Sequence, residues 1–579
     1  MGTRPRLGRL VVAGLLTVVL PGRGVALPRY GPLEVSGNVS AQNEIRTPDI
    51  DQYSLVQQRN TLRIRVDYDM LDRGKLIERF DIPFIDKTKL FLLYRGVYDS
   101  VYDIKPGFPQ KDIYGKEISN PVYANFPPFP GFQKFYPENR LDNLKGAEGL
   151  RFENQLREAY LDINLKSLPL SFRVGRQQIV WGETDNFRML DRVNALDLTW
   201  HLQQDSWDEL RIPYWMIKGL WNIDQLGPLS GAFVEAYWNP GDWYPAKRAF
   251  LPRPWSAPIL NPLNSAVGLT GLQQLYHNTK LFSQGDYSRD PGDNSQVGVR
   301  FGAVTPQGLQ FTLNYFYQRW AGDDGTNSAA QAGITDRVEG NSAVDRGELP
   351  IVAIAPYVHT IGASLNYADE EHTQAVFRAE TVYEMGVPFN DFSKPLQCDR
   401  AQCTPLKGDV FGVSKRDMWK GMVAFDRPTW IRLLNRKSTF LILGQFFWHY
   451  LIDNPDLSPA QNSGFRGQFS SSGFGLPPFS PRPVYDHVRD WELLTTLAAT
   501  TFYQGGKIVP LFVYVLDPVN KFNMEINWGV DYFLTNNLIV NLSQKYFINT
   551  TSAPVYESWG VAGINRGRSE TGLRLTYQF

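Results

Sequence analysis

The amino-acid sequence predicts an all-β fold: a single large antiparallel transmembrane β-barrel of about 14–18 strands, with long loops and an inward charged, partly helical segment. Three observations predict it. Apolar and polar residues alternate with a period of two in one segment after another. Almost no amphipathic helical pattern interrupts them. Aromatic residues make up 13% of the 579-residue chain, although the mean hydropathy is only −0.31. Successive strand side chains point to opposite faces, so an alternating segment has one apolar and one polar face. A barrel in lipid also has a use for aromatic residues, which form girdles at both interfaces.

At the N-terminal end, Arg4, Arg6 and Arg9 precede the apolar run Leu10–Leu20, and Gly24-Val25-Ala26 offers small residues for cleavage. This is the pattern of a secretory signal peptide, residues 1–26; the run is shorter than the roughly 20 residues a spanning helix needs. The barrel is expected over 27–579. Later apolar runs, such as Phe440–Trp448 and Val509–Leu516, have strand length.

Strands are expected near residues 34–46, 59–70, 86–100, 151–165, 169–181, 211–222, 231–239, 295–304 and 308–318. The second half continues with 357–368, 374–385, 419–427, 438–450, 492–503, 508–518, 522–534, 537–547 and 570–579. The clearest is 523–534, where Met524, Ile526, Trp528, Val530, Tyr532 and Leu534 oppose Asn523, Glu525, Asn527, Gly529 and Asp531. A soluble sandwich could alternate too. The strand count favours a barrel, as does the alternation of Thr571, Leu573, Leu575, Tyr577 and Phe579 with Gly572, Arg574, Thr576 and Gln578. That Phe-terminated strand resembles the C-terminal signal read by the outer-membrane barrel assembly machinery. Outer-membrane lipids and that machinery are the partners expected of such a chain, and the outer membrane of a Gram-negative cell is its expected location.

The segments 101–150, 240–294 and 454–490 are rich in proline, which cannot continue a central strand. They are expected as loops that either line the lumen or shield the surface. Cys398 and Cys403, four residues apart, are expected to close a small disulfide loop; a metal pair would need further ligands, and no ligand cluster lies nearby.

From Arg173 to Arg211 the pattern breaks. A strand runs to about Trp181, the turn Gly182–Asp185 can cap a helix, and Phe187–Trp200 has the character of one or two short helices. Arg173, Arg176, Trp181, Glu183, Asp185, Arg188, Asp191, Arg192, Asn194, Asp197 and Arg211 are the candidate lumen or constriction residues, with 184–208 as an internal plug. Arginine–carboxylate pairs can fix such a segment through bidentate hydrogen bonds. A catalytic cluster is the alternative, disfavoured because ion-pair networks commonly carry no chemistry.

Within this stretch, Trp181-Gly182-Glu183, then Asp191 with Val193-Asn194 and Asp197, then Arg211-Ile212-Pro213, are the motifs of a known family. On them the chain resembles the large proteobacterial outer-membrane proteins classed as domain of unknown function 1302. The family usually has proline after the asparagine, where this chain has Ala195. The resemblance implies a barrel. It also implies company with inner-membrane efflux pumps of the resistance-nodulation-division superfamily, and so export of lipid-like molecules.

Charge excludes some functions. The 59 basic and 59 acidic residues balance, and loss of residues 1–26 with their four arginines would leave the remainder near −4. There is no basic footprint for nucleic acid. The six histidines form no HExxH or paired metal spacing, and neither a GxSxG elbow nor a Walker loop occurs. No cofactor, no metal and no enzymatic activity are expected. The polar faces carry both signs, with Arg63, Arg65, Asp67, Asp69, Arg300, Arg378, Glu380, Glu525, Asp531 and Arg574. That mixture argues against strong ion selectivity. A conduit for small amphipathic or lipid-like molecules is therefore expected first, a structural surface barrel second and a barrel-embedded lipid-acting enzyme third.

Overall fold

The computed structural model describes residues 31–104, 152–243, 291–321, 355–391, 410–453, 490–550 and 565–579, with gaps of up to three residues, and short stretches between these blocks. The expected signal peptide, and most of the expected loops at 101–150, 240–294 and 454–490, lie outside the described residues.

The fold is a closed ring of 18 antiparallel strands. They are β1 Leu33–Asp49, β2 Gln52–Asp72, β3 Ile85–Asp99, β4 Phe152–Leu165, β5 Leu170–Gln177, β6 Tyr214–Leu226, β7 Leu229–Asn239, β8 Gln296–Val304 and β9 Gln310–Arg319. The ring continues through β10 Tyr357–Asp369, β11 Ala375–Asp391, β12 Val410–Thr429, β13 Phe440–Leu451, β14 Trp491–Thr500, β15 Ile508–Asp517, β16 Asn523–Phe533, β17 Leu538–Ile548 and β18 Glu570–Gln578. Each pairs with its sequence neighbours. β1 closes the ring on β18, from Asn38 opposite Gln578 to Arg46 opposite Glu570. The expected strands all fall on these elements. A barrel of this size is wide enough for an aqueous lumen or a plug.

Chain direction sorts the connections. One end of the ring carries only short connections, among them the turns at 166–169, 227–228, 305–309, 370–374 and 534–537. The other carries the longest ones, 100–151, 178–213, 240–295, 320–356 and 452–490, together with the turns at 50–51 and 518–522.

The alternation sorts the side chains. Val299, Leu313, Ile361, Val423, Leu497 and Leu542 are exposed on the outer face. Trp215, Trp238 and Trp491 flank them toward the long-connection end, and Trp221, Tyr367 and Tyr532 toward the short-turn end. An apolar band between two aromatic belts is the surface that lipid selects, because hydrocarbon offers no partner to a polar group. The opposite face of each strand points inward.

Two local features shape the wall. Between Leu93 and Tyr94 the register with β4 slips from Glu158 to Leu156, so Arg157 is bulged out of the pairing. The bulge re-aims its side chain, which is buried and reaches the carbonyls of Glu209 at 3.0 Å and Arg211 at 2.6 Å. Elsewhere aromatic rings lie over glycines in the adjacent strand: Tyr237 over Gly298, Phe233 over Gly302, Phe425 over Gly444 and Trp448 over Gly421.

One expectation fails here. No helix forms over Phe187–Trp200 among the described residues; the helical turn is Trp207–Leu210. Backbone groups of the earlier stretch are held by side chains instead. The expected disulfide is met only at the backbone: Cys398 lies opposite Cys403 in a short hairpin, and their side chains lie outside the described residues.

A Cβ on Gly298 would sit 2.3 Å from the Tyr237 ring. Gly298→Val is therefore expected to destabilise the barrel by about 1–3 kcal/mol through overpacking, read as a lower denaturant midpoint. Gly529→Ala, where no atom comes nearer than 3.6 Å, serves as the control and should leave the midpoint within about 0.5 kcal/mol of wild type.

Candidate functional site

Residues 178–213 leave the ring at the end of β5 and return at the start of β6, two strands that pair with each other. The two limbs must therefore meet, and Asn194 ties them. Its Oδ1 accepts from the Ile179 amide at 2.8 Å, and its Nδ2 donates to the carbonyls of Gln177 at 3.3 Å and Ile212 at 2.8 Å. The Ile212 amide donates to the Ala195 carbonyl at 2.7 Å. Arg211 donates to Asp191 Oδ2 at 3.0 and 2.6 Å, and to Asp208 at 2.9 Å. Arg188 donates to the carbonyls of Asp191 and Asn194, both at 2.5 Å. Within Phe187–Trp200 these contacts, with the Leu190 amide given to Glu380, stand in place of an i→i−4 ladder.

Gly182 is closely packed. A Cβ there would lie 3.0 Å from the Asp191 amide nitrogen and 3.2 Å from Glu380 Oε1. The three motif elements, Trp181–Glu183, Asp191–Asp197 and Arg211–Pro213, are thus one contact cluster rather than three separate signals.

The segment has an apolar side. Ile179, Trp181, Met189, Leu190 and Val193 belong to a buried cluster with Tyr237, Phe316, Val382, Met422, Phe447 and Leu494 from the inward faces of β7, β9, β11, β12, β13 and β14. Trp181 meets Tyr237 edge-on with centroids 5.4 Å apart and donates its Nε1–H to Glu235 at 2.5 Å.

Its polar groups meet charged side chains of the wall. Glu380 on β11 accepts from the amides of Glu183 and Leu190, the latter at 3.1 Å. Arg378 donates to the Glu183 carbonyl, to Asp185 at 2.6 Å and to Asp426 at 2.8 Å. Gln445 donates to Asp185 at 3.1 Å. Arg192 pairs with Glu384, which also holds Lys420 at 2.7 Å; all three are buried.

The returning limb meets the opposite arc. Gln57 donates to the Trp200 carbonyl at 2.9 Å, Arg59 pairs with Asp205 at 2.7 Å, Arg63 pairs with Glu209, and Arg95 donates to the Glu209 carbonyl at 3.0 Å. His201 lies between Asp205, 3.1 Å from Nδ1, and Glu570 of β18, 2.5 Å from Nε2. Burial alone would lower the imidazole; Glu570 and Asp205 outweigh it and lift it to about 9. Burial would raise the Asp205 carboxyl, but Arg59 and His201 hold it well below the usual carboxylate range.

Not every candidate residue joins this cluster. Arg173 pairs with Asp162 at 2.7 Å and lies 3.9 Å over the Tyr160 ring, toward the short-turn end. Arg176 donates to the backbone carbonyls of Leu156 and Pro213. Asp197 accepts from Thr199, through both its amide and its hydroxyl. Among the residues that sequence reasoning passed over are Arg59, Arg95, Arg157, His201, Glu235, Glu384, Lys420 and Glu570. Alternation puts Glu384, Lys420 and Glu570 on polar faces, but nothing local joins His201 to a residue 369 positions away.

Below the segment, toward the short turns, a cavity of about 690 Å³ lies against β2–β6. Lys87, Lys89, Arg173 and Lys218 line it with Asp69 and Asp162, beside Leu71 and Leu220.

Glu380→Ala removes the acceptor of two backbone amides, a loss of about 1–3 kcal/mol for groups left buried and unsatisfied. The expected outcome is faster hydrogen exchange and protease cleavage over 183–190, with the unheated-gel mobility of the barrel unchanged. Exchange equal to wild type would mean that the apolar contacts alone hold the segment.

Among solved structures, the chain is similar to Acinetobacter baumannii OccAB4, with 8% identity over 94% of this chain and 98% of that one and a TM-score of 0.42. It is similar to Pseudomonas aeruginosa OccK2 (OpdF) in complex with glucuronate, with 8% identity over 95% and 98% and a TM-score of 0.40. It is also similar to Pseudomonas putida OprB, with 12% identity over 95% and 94% and a TM-score of 0.37. No curated protein matches the chain. The model of the family described as a protein of unknown function, DUF1302, matches residues 33–579, and the chain belongs to that family.

Proposed function

We propose that this barrel is a conduit across the outer membrane of a Gram-negative cell for small amphipathic or lipid-like molecules. Residues 184–208 are its constriction, and it works with an inner-membrane efflux pump in the direction of export. Transport, not catalysis, is the activity assigned. One observation carries the reading: a segment pinned by buried charge pairs to strands on opposite arcs of the wall, with a cavity of mixed charged and apolar lining beneath it.

Glu183, Asp185, Arg188, Asp191, Arg192, Asn194, Asp197 and Arg211 shape and anchor the constriction in this reading, and Trp181 seats it. Arg173 belongs to the cavity. By the rule that short turns face the periplasm, the cavity opens on the periplasmic side, where an export substrate would enter. Lys89 pairs with Asp67, Lys218 with Glu235 and Arg173 with Asp162, so the polar side of the lining carries both signs and suits a polar head group, and the leucines beside it suit an apolar tail.

The test is single-channel conductance in planar bilayers, for the intact protein and for the deletion of residues 184–208. The expected result is little or no steady current from the intact barrel and large, stable steps from the deletion. Large steady currents from the intact barrel would sink the constriction. Silence from both would sink the conduit.

A further inference from the structure

The seam where the ring closes carries a side-chain cluster that the conduit reading does not use. Glu44 on β1, Glu570 on β18 and His201 from the docked segment each bring a potential ligand atom within 4.8 Å of the others, and all three are buried. Arg46 lies opposite Glu570 and Glu44 opposite Gly572, so the two carboxylates stand on adjacent strands on the same inward face. Gly572 makes the room: a Cβ there would lie 2.7 Å from both oxygens of Glu44.

Two features go beyond a collection of acids. Glu44 Oε2 and Glu570 Oε2 are buried with no hydrogen-bond partner, in residues only 3% and 1% exposed. Such orphaned oxygens are costly unless something cationic completes them. In addition, His201 Nδ1 is engaged by Asp205 at 3.1 Å, and Asp205 is held by Arg59 at 2.7 Å, which leaves Nε2 directed at Glu570. A carboxylate on the far nitrogen of an imidazole is the usual support of a metal-binding histidine, because it fixes the ring and its tautomer.

We infer that Glu44, His201 and Glu570 bind a divalent transition-metal ion of the zinc class, which fastens the docked segment to the seam between the first and last strands. One imidazole nitrogen and two carboxylate oxygens suit zinc, with a fourth position left for water. The ion replaces the proton on Nε2. Its insertion widens the 2.5 Å imidazole–carboxylate contact to the roughly 3.3 Å that two ligands at about 2.0–2.1 Å span in a tetrahedron. Lys545, 3.4 Å from Glu570, must yield that oxygen, and the buried Arg46 and Arg568, whose charges also act on Glu570, are the cations the ion competes with.

Metal retention and ion current are separate readouts, so failure of the site leaves the conduit reading untouched. The full-length barrel, purified from membranes in detergent without chelator, is assayed for bound zinc and titrated with Co²⁺. About one tightly held equivalent of zinc and a visible Co²⁺ absorption band are expected. His201→Ala and Glu44→Gln should abolish both, and Asp205→Asn should weaken the affinity about 10–100-fold. Unheated-gel mobility identifies the variants that have kept the closed barrel, and only those are compared. No zinc and no Co²⁺ band in the wild type would overturn the inference and leave His201 as an imidazolium bridging two carboxylates. Equal binding by wild type and Glu44→Gln would overturn it as well.

Discussion

A strand surrounded by hydrocarbon has no water to satisfy its amides and carbonyls, so each must find its partner in a neighbouring strand. Only a closed ring meets that demand at both edges, and the pairing of β1 with β18 is where this chain meets it. The period-two sequence follows from the same demand. Once the backbone is committed to the ring, side chains can only point to lipid or to the lumen. The outer set becomes Val299, Leu313, Ile361 and their like between belts of tryptophan and tyrosine.

The inner set solves a different problem. A wall carrying Arg59, Arg378, Glu380, Glu384 and Lys420 is expensive if it is dry and unpaired. Removing one partner from a buried pair typically costs about 3–5 kcal/mol. Segment 178–213 supplies partners where the wall has charges, and apolar surface where the wall has Phe316, Val382 and Phe447. Segment and wall are complementary in both respects, so the segment has one seat. Its irregular backbone goes with this: the Leu190 amide is held by Glu380 and the carbonyls of Asp191 and Asn194 by Arg188, in place of a helical ladder.

Much of the ring was legible in the sequence because each strand carries its own alternation. The ends were less so. β12 begins at Val410, well before the expected 419, because Ser414-Lys415-Arg416-Asp417 lies outside the alternating stretch and has no apolar face to reveal it. β5 stops at Gln177 although apolar residues continue to Trp181; those residues turn into the segment's own core. The charged character of 173–211 was visible; that its three short motifs share one cluster was not. Nor were the wall partners. Glu384, Arg59 and Glu570 are ordinary polar-face residues of separate strands, and only ring closure brings them to one segment.

That last dependence has a consequence for the order of assembly. β1 and β18 are the two edges whose pairing closes the ring, and Glu570, on β18, is a partner of the limb around His201. Until the edges meet, that limb lacks part of its seat. A slip of one residue at the seam would turn the facing strand over and send Glu570 toward lipid. His201 would then lose its carboxylate, and the carboxylate would face hydrocarbon with no partner for its charge. The docked segment therefore acts as a proofreader: its energy is released in full only when the ring has sealed in the correct register.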